Sequence, residues 1–291
     1  MTIVRTGAAA SAALLAIAAA APANAEMFNR IATFHVVDNL PADADPETGT
    51  VAEIITATPD GMTLVYTDSP GKWIGFVDIT DPKAPKAAGI TALDGEPTSV
   101  VVAGSNALVG VVTSESKDKP SGHVAVVDVA TKAIVATCDV GGQPDSVAKS
   151  ADGKFLAVVI ENERDEEVND GAIPQLPGGN LTILPLTDGT PDCGAKVVVD
   201  LAGLAAIAPE DPEPELVDIN AANQAVVTLQ ENNHIAIVDL PPARSPPTSR
   251  PARLTSQAST PRRTASSRSP GRSPACCGNP MPCTNAHLPA W

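Results

Sequence analysis

Apolar and polar positions along the chain fall into one unit that is repeated four times. Each unit reads as an apolar strand, a tight polar turn, a second apolar strand, a polar loop and a third strand that often closes on Val-Asp. The third strands are Trp73-Ile-Gly-Phe-Val-Asp78, His123-Val-Ala-Val-Val-Asp128, Leu181-Thr-Ile-Leu184 and His234-Ile-Ala-Ile-Val-Asp239. They recur roughly every 50 residues, the spacing of propeller blades. The runs are short, rich in Val and Ile, and bounded by Gly, Pro, Asn and Asp, which predicts strands rather than helices. Pro59-Asp-Gly61 and Ala151-Asp-Gly153 each set Asp-Gly between two such runs, a hairpin signal.

Placed along the chain, the pattern gives four blades. Blade one takes Glu53 to Thr58, Thr63 to Thr67 and the Trp73 strand. Blade two opens at Pro97-Thr-Ser-Val100 and continues with Ala107 to Thr113; blade three opens at Pro144-Asp-Ser-Val147 and continues with Phe155 to Ile160. Blade four opens at Pro214-Glu-Leu-Val217, continues with Gln224 to Leu229, and breaks off after Asp239 without an outer strand. Met27 to Val37 reads as one more strand, assigned to a closing blade. Leu201 to Ile207 tolerates a helix and reads as an insertion after blade three. The expected fold is all-β: a partial β-propeller of about four blades, each of three to four antiparallel strands. Its open ring would leave unpaired edges that invite association.

Composition divides the chain into three. Residues 1–25 carry Arg5, an apolar run from Ala8 to Ala21 and the small-residue site Ala23-Asn-Ala25, the pattern of an export signal. The run is too short for a transmembrane helix, and no other stretch could span a membrane, so a periodic, soluble body in the periplasm or outside the cell is expected. Residues 26–240 hold all 34 acids against 11 Lys plus Arg, a net charge of −23. That surface disfavours nucleic acid, whose phosphates need clustered Lys and Arg, and suits cations. Residues 241–291 hold seven Arg and no Lys, Asp or Glu. They read either as a disordered basic tail or as the product of a shifted reading frame. In the latter reading, Cys276-Cys-Gly-Asn-Pro-Met-Pro-Cys283 permits Leu-Arg-Glu-Pro-Asp-Ala-Val, which matches a blade opening such as Glu96-Pro-Thr-Ser-Val100. Cys138 and Cys193 are the two cysteines of the acidic body; export permits a disulfide, and spacing leaves their pairing open.

The candidate chemistry is acidic. In a propeller, the loop entering the first strand and the loop leaving the second lie on one face of the ring. The entering loops offer Glu53, Glu96, Asp145 and Glu215; the leaving loops offer Asp68, Glu115, Glu161-Asn-Glu-Arg-Asp165 and Gln230-Glu-Asn232. Glu53, Glu96, Asp145, Glu215 and Glu231 are expected to line the channel, with Glu161, Glu163 and Asp165 as ligands of calcium or another divalent cation. Hard cations take six to eight oxygen ligands, largely carboxylates and carbonyls. The same acids also read as solvated loops, and no EF-hand spacing is present. His35, His123 and His234 stand singly, without zinc-site spacing. Ser69, Ser114 and Ser146 lack a nucleophile-elbow context. Asn180-Leu-Thr182 fits a glycosylation triplet.

Several strings resemble the exported phytase-like family, whose members are often labelled esterase-like or alkaline phosphatase. They are Asp94-Gly-Glu-Pro-Thr-Ser-Val100, Gly141-Gly-Gln-Pro-Asp-Ser-Val147, Ile160-Glu-Asn-Glu-Arg-Asp-Glu166 with Asn169-Asp-Gly171, Pro209-Glu-Asp-Pro-Glu-Pro-Glu215 and Leu229-Gln-Glu-Asn-Asn-His234. The resemblance covers most of residues 26–240 and none of the tail. It implies a propeller with acidic functional residues that hydrolyses phosphate esters or related esters, here in truncated form. The expected partner is a small phosphorylated or ester substrate, and the competing expectation is a non-catalytic propeller that binds a protein or polymer through the same face. A third reading is that the truncated chain has no function.

Overall fold

The computed structural model describes residues 29–44 and 49–240, together with the backbone of the strand Leu254–Gln257. The export signal and the remainder of residues 241–291 lie outside the described residues, and with them the expected disorder of the tail.

Every blade is an antiparallel sheet whose first three strands pair in chain order. Blade one holds β1 (Ile55–Ala57), β2 (Thr63–Asp68), β3 (Trp73–Asp78) and β4 (Lys86–Ala92). Blade two holds β5 (Glu96–Ala103), β6 (Asn106–Val112), β7 (Gly122–Asp128) and β8 (Ile134–Asp139). Blade three holds β9 (Pro144–Lys149), β10 (Phe155–Ile160) and β11 (Asn180–Thr187), then the short β12 (Thr190–Pro191) and the outer β13 (Val197–Asp200), both paired with β11. Blade four holds β14 (Pro214–Ile219), β15 (Gln224–Leu229), β16 (His234–Asp239) and β17 (Leu254–Gln257). The first strands are the inner ones: β5 packs against β1 and β2, β9 against β5, and β14 against β9. The architecture is therefore all-β, a partial propeller of four blades.

Local chemistry explains the tight turns. At Pro59-Asp-Gly61 and Ala151-Asp-Gly153 the glycine takes a φ near +70°, open to glycine at no steric cost. The preceding aspartate secures each turn: Asp60 Oδ1 accepts from the Met62 amide at 3.0 Å, and Asp152 Oδ1 from the Lys154 amide at 3.1 Å.

Three apolar cores lie between successive blades. Val65, Ile74 and Phe76 of blade one meet Ala107, Val109, Ala125 and Val127 of blade two. Leu108, Val124 and Val126 on the other side of blade two meet Leu156, Val158, Ile160 and Leu184 of blade three. Ala157, Val159, Leu181 and Ile183 meet Ala225, Val227, Leu229, Ala236 and Val238 of blade four. A strand sends alternate side chains to opposite faces, so β6 and β10, with a blade on each side, are buried along both faces, whereas β15 is buried only at alternate positions.

Two expectations change, and two points left open by the sequence are decided. Blade four does have an outer strand: Leu254–Gln257 pairs with β16 from Val238↔Leu254 to Ile235↔Gln257. Its pairing uses backbone groups at an open edge, so it leaves no hydrophobic alternation to read. Residues 29–35 form no strand, and Met27 and Phe28 lie outside the described residues. The segment instead runs to a 3-10 turn at Val36–Asn39, which packs on β3 and β4. Asn39 holds it there: its Nδ2 donates to Tyr66 Oη at 3.1 Å and to the Phe76 carbonyl at 2.8 Å, and its Oδ1 accepts from the Gly89 amide at 2.8 Å. Leu201 to Ile207 is irregular rather than helical, with Leu201 and Ala205 buried against blade four. Finally, Cys138 and Cys193 are disulfide-bonded, with Cα atoms 5.2 Å apart, which ties the outer strand of blade two to the turn that precedes β13.

Candidate functional site

The long loop 161–179, which leaves β10, builds most of one acidic cavity. Asn162 sits at a φ of +54° and closes the base of the loop. Its Oδ1 accepts from the Gln143 amide at 3.0 Å, and its Nδ2 donates to the carbonyls of Pro177 and Gly178 at 3.1 and 3.3 Å. Further out, the Asp165 amide donates to Gln175 Oε1 at 2.8 Å, and Gln175 Nε2 donates back to the Asp165 carbonyl at 2.9 Å.

Arg164 binds this loop to the one that enters β14. Its Nε donates to Asp211 Oδ2, its Nη2 to the Asp211 carbonyl and its Nη1 to Glu213 Oε2, each at 2.8 Å. Its own amide donates to Glu213 Oε1, also at 2.8 Å. Asp211 and Glu213 are almost wholly buried, so these are charge-assisted bonds away from water. Asn232, in the β15–β16 turn, secures the same loop by accepting from the Glu213 amide and donating to the carbonyls of Ile207, Ala208 and Asp211. On the other side Lys117, from the β6–β7 loop, donates to Glu163 Oε1 at 2.6 Å. One loop thus joins three blades.

The cavity between these loops has a volume of about 650 Å³ and is lined by Glu161, Glu163, Asp165, Glu213, Glu215 and Glu231 together with Lys117 and Arg164. Asp145 stands beside it on β9, within electrostatic range of Glu161, Glu163 and Glu215. Burial, then the charges of Asp145, Glu163, Glu213 and Glu215, push the Glu161 carboxyl up to about 8. Burial, then Glu215 and Glu163, push Asp145 up to about 6. Glu215 is raised by burial and by Glu231; Glu213 is raised by burial, against the pull of the Arg164 amide and guanidinium. At neutral pH the cluster therefore retains protons that solvated carboxylates would have lost.

Asp145, Glu161, Glu163, Asp165, Glu215 and Glu231, all expected from sequence, come together here. Glu53 and Glu96 do not line this cavity: Glu53 is exposed on blade one and accepts from Ser69 Oγ at 3.0 Å, and Glu96 is exposed at the start of β5. The sequence reading missed Lys117, Arg164, Asp211 and Glu213. Two signals pointed to them: Arg164 interrupts an acidic run, and Glu213 precedes Pro214 as Glu96 precedes Pro97.

The donors suit a hard cation, being carboxylates throughout. Their arrangement does not make a finished metal site: among the described residues no three His, Cys, Asp or Glu side chains are grouped so as to hold a metal ion. Of the expected ligands, Glu163 is held by Lys117, and Asp165 Oδ1 accepts from the Glu167 amide at 2.9 Å. The histidines remain apart: His123 Nε2 lies 3.3 Å from Asp94 Oδ1, His35 is exposed and His234 is buried. The glycosylation triplet lies inside β11, with Thr182 fully buried and its Oγ1 donating to Asn180 Oδ1 at 3.1 Å.

The fold is a partial propeller of four antiparallel blades, with an acidic cavity formed by loops of blades two to four. Residues 53–245 match the choice-of-anchor I domain, which is more than half of the chain. The chain belongs to that family, and so to proteins that are secreted or held at the cell surface. No curated protein matches it. Among solved structures, it is similar to a functionally unknown protein from Desulfotomaculum acetoxidans, at 13% identity over 70% of this chain and 54% of that chain, with a TM-score of 0.46. It is also similar to the Pan2 WD40 domain of Neurospora crassa, at 13% identity over 67% and 51%, with a TM-score of 0.46. A third is virginiamycin B lyase from Staphylococcus aureus, at 13% identity over 72% and 56%, with a TM-score of 0.43. The chain spans about half the length of these structures. Among the described residues no helix is long and apolar enough to cross a membrane.

Proposed function

We propose that the protein is an exported hydrolase of phosphate esters, periplasmic or secreted, whose acidic cavity recruits a divalent cation, calcium first, together with its substrate. The observation that carries this reading is the convergence of carboxylates on one cavity, where the half-buried Glu161 stands among other acids and is pushed up to about 8. A cation would relieve that crowding by replacing the retained protons. It would also supply the positive charge that a phosphate needs in a cavity otherwise repellent to it. The phytase-like strings around Glu161, Asp145 and Glu215 support the choice of substrate. Asp145, Glu161 and Glu215 are the carboxylates that would have to close around the cation, since they are not grouped as a finished metal site.

A second reading is favoured by Lys117 and Arg164. Both already place cationic nitrogen among these carboxylates, so the face could instead hold the amines of a protein or polymer without any reaction.

One set of experiments separates the two. Calcium is titrated calorimetrically at pH 7 in buffers of different ionisation enthalpy, and release of about one proton per ion is expected. Phosphate release from p-nitrophenyl phosphate and from phytate is then measured with calcium, with a chelator and in Glu161→Gln. Chelator-sensitive hydrolysis that the variant loses is the expected result. Binding of a polyamine with no hydrolysis of either ester would establish the second reading.

A further inference from the structure

We propose that the open face of blade four is an interaction surface for a second copy of this chain, and that the part it takes is the open face of blade one. The repeat carries the argument. His234-Ile-Ala-Ile-Val-Asp239 occupies in blade four the place that His123-Val-Ala-Val-Val-Asp128 occupies in blade two. In blade two, Val124 and Val126 are fully buried because blade three packs on them. Their counterparts in blade four are Ile235 and Ile237. Cross-strand registers extend the correspondence: Leu108↔Val126 and Gly110↔Val124 match Val226↔Ile237 and Thr228↔Ile235. Nothing among the described residues covers this set. Ile235 is 38% exposed, Leu216 beside it is 60% exposed, and Val226 and Ile237 are half-buried.

What covers such a face is stated three times within the chain: the preceding-side face of the next blade. Among the described residues, blade one alone has that face without a blade on it. Leu64, Tyr66 and Val77 point that way, and Ile55 is 59% exposed there. Residues 31–36 cross part of the face and leave an apolar groove of about 410 Å³. Residues 241–291 supply blade four with its outer strand Leu254–Gln257 but are a poor occupant of its open face, since they contain no Val, Ile, Phe or Tyr and carry seven Arg. A second copy supplies the required face, continuous with the blade-to-blade packing already present. The contact is heterologous, so it closes into a ring or extends into a filament.

The test uses the full exported chain in sedimentation velocity over a concentration series, with three variants. Leu216→Lys marks the blade-four face and Ile55→Lys the blade-one face; both sites are exposed, so far-UV circular dichroism should stay unchanged. His123→Gln, away from both faces, is the control. The expected result is concentration-dependent association that falls at least tenfold in either lysine variant but not in the control. Mixing the two lysine variants should restore a dimer, because one intact pair of faces remains. A chain that stays monomeric overturns the proposal, as does association that ignores Ile55→Lys, which would signify blade four meeting blade four. Failure of the mixture to form a dimer overturns it as well.

Discussion

Replacing Glu161 with glutamine should stabilise the protein, and should do so only above mildly acidic pH. The carboxyl is pushed up to about 8, against an ordinary value of 4.5, by burial first and by its acidic neighbours second. Below the lower value, folded and unfolded chains both hold the proton. Between the two values the folded chain holds a proton that the unfolded chain has released, so stability falls as pH rises through that window and levels off above it. At about 1.4 kcal/mol per pKa unit the whole displacement would amount to about 5 kcal/mol. The side chain keeps partial access to the cavity, and solvent screening reduces this to about 2 kcal/mol at pH 8. For a domain of this size that corresponds to a gain of roughly 4–8 °C in Tm for Glu161→Gln at pH 8, with little change at pH 5. Melting curves of both proteins at half-unit steps from pH 5 to pH 8, in chelator, provide the measurement. A Tm difference that is the same at both ends of the range would refute the reasoning.

The remaining predictions concern the joints between blades. Arg164→Ala leaves Asp211 and Glu213 buried without their cation, and a loss of about 3–5 kcal/mol is expected in urea denaturation. Lys117→Ala breaks a pair that is roughly half exposed on both sides, so the same measurement should change by less than about 1 kcal/mol. Reduction of Cys138–Cys193, which closes a loop of 55 residues, should cost about 4 kcal/mol, read as a lower urea midpoint in dithiothreitol than in its absence.

The blades were legible because strand runs such as His123–Asp128 carry their own hydrophobic pattern, and that pattern is what the interblade cores use. The acids of the cavity were legible for a related reason: Asp145 and Glu215 hold the same place after Pro144 and Pro214 in consecutive repeats. What stayed hidden depends on contacts between residues distant in sequence. Arg164 reads as one more charge in a charged run until Asp211 is folded beside it, 47 positions on. Asn39 reads as a loop residue, yet it replaces a strand with a pinned crossing by satisfying two acceptors and one donor of blade one. β17 is recognised by no side-chain pattern, since a sheet edge pairs through its backbone. The cavity shows Glu53 and Glu96 apart for a geometric reason, because they belong to blades one and two while its loops come from blades two to four.

The three cores between blades give the molecule the energetics of a short stack rather than of a single globule. Each blade answers only to its neighbours, so opening one end need not disturb the other. Blades two and three have a core on each side and a covalent bond between them; blades one and four have one core each. Amide protons should therefore exchange slowest along β6 and β10 and faster along their counterparts β2 and β15, with the two middle blades opening as one cooperative unit. Loop 161–179 is anchored on that slow unit and reaches outward to blade four, so the acidic cavity has one durable wall and one that opens first.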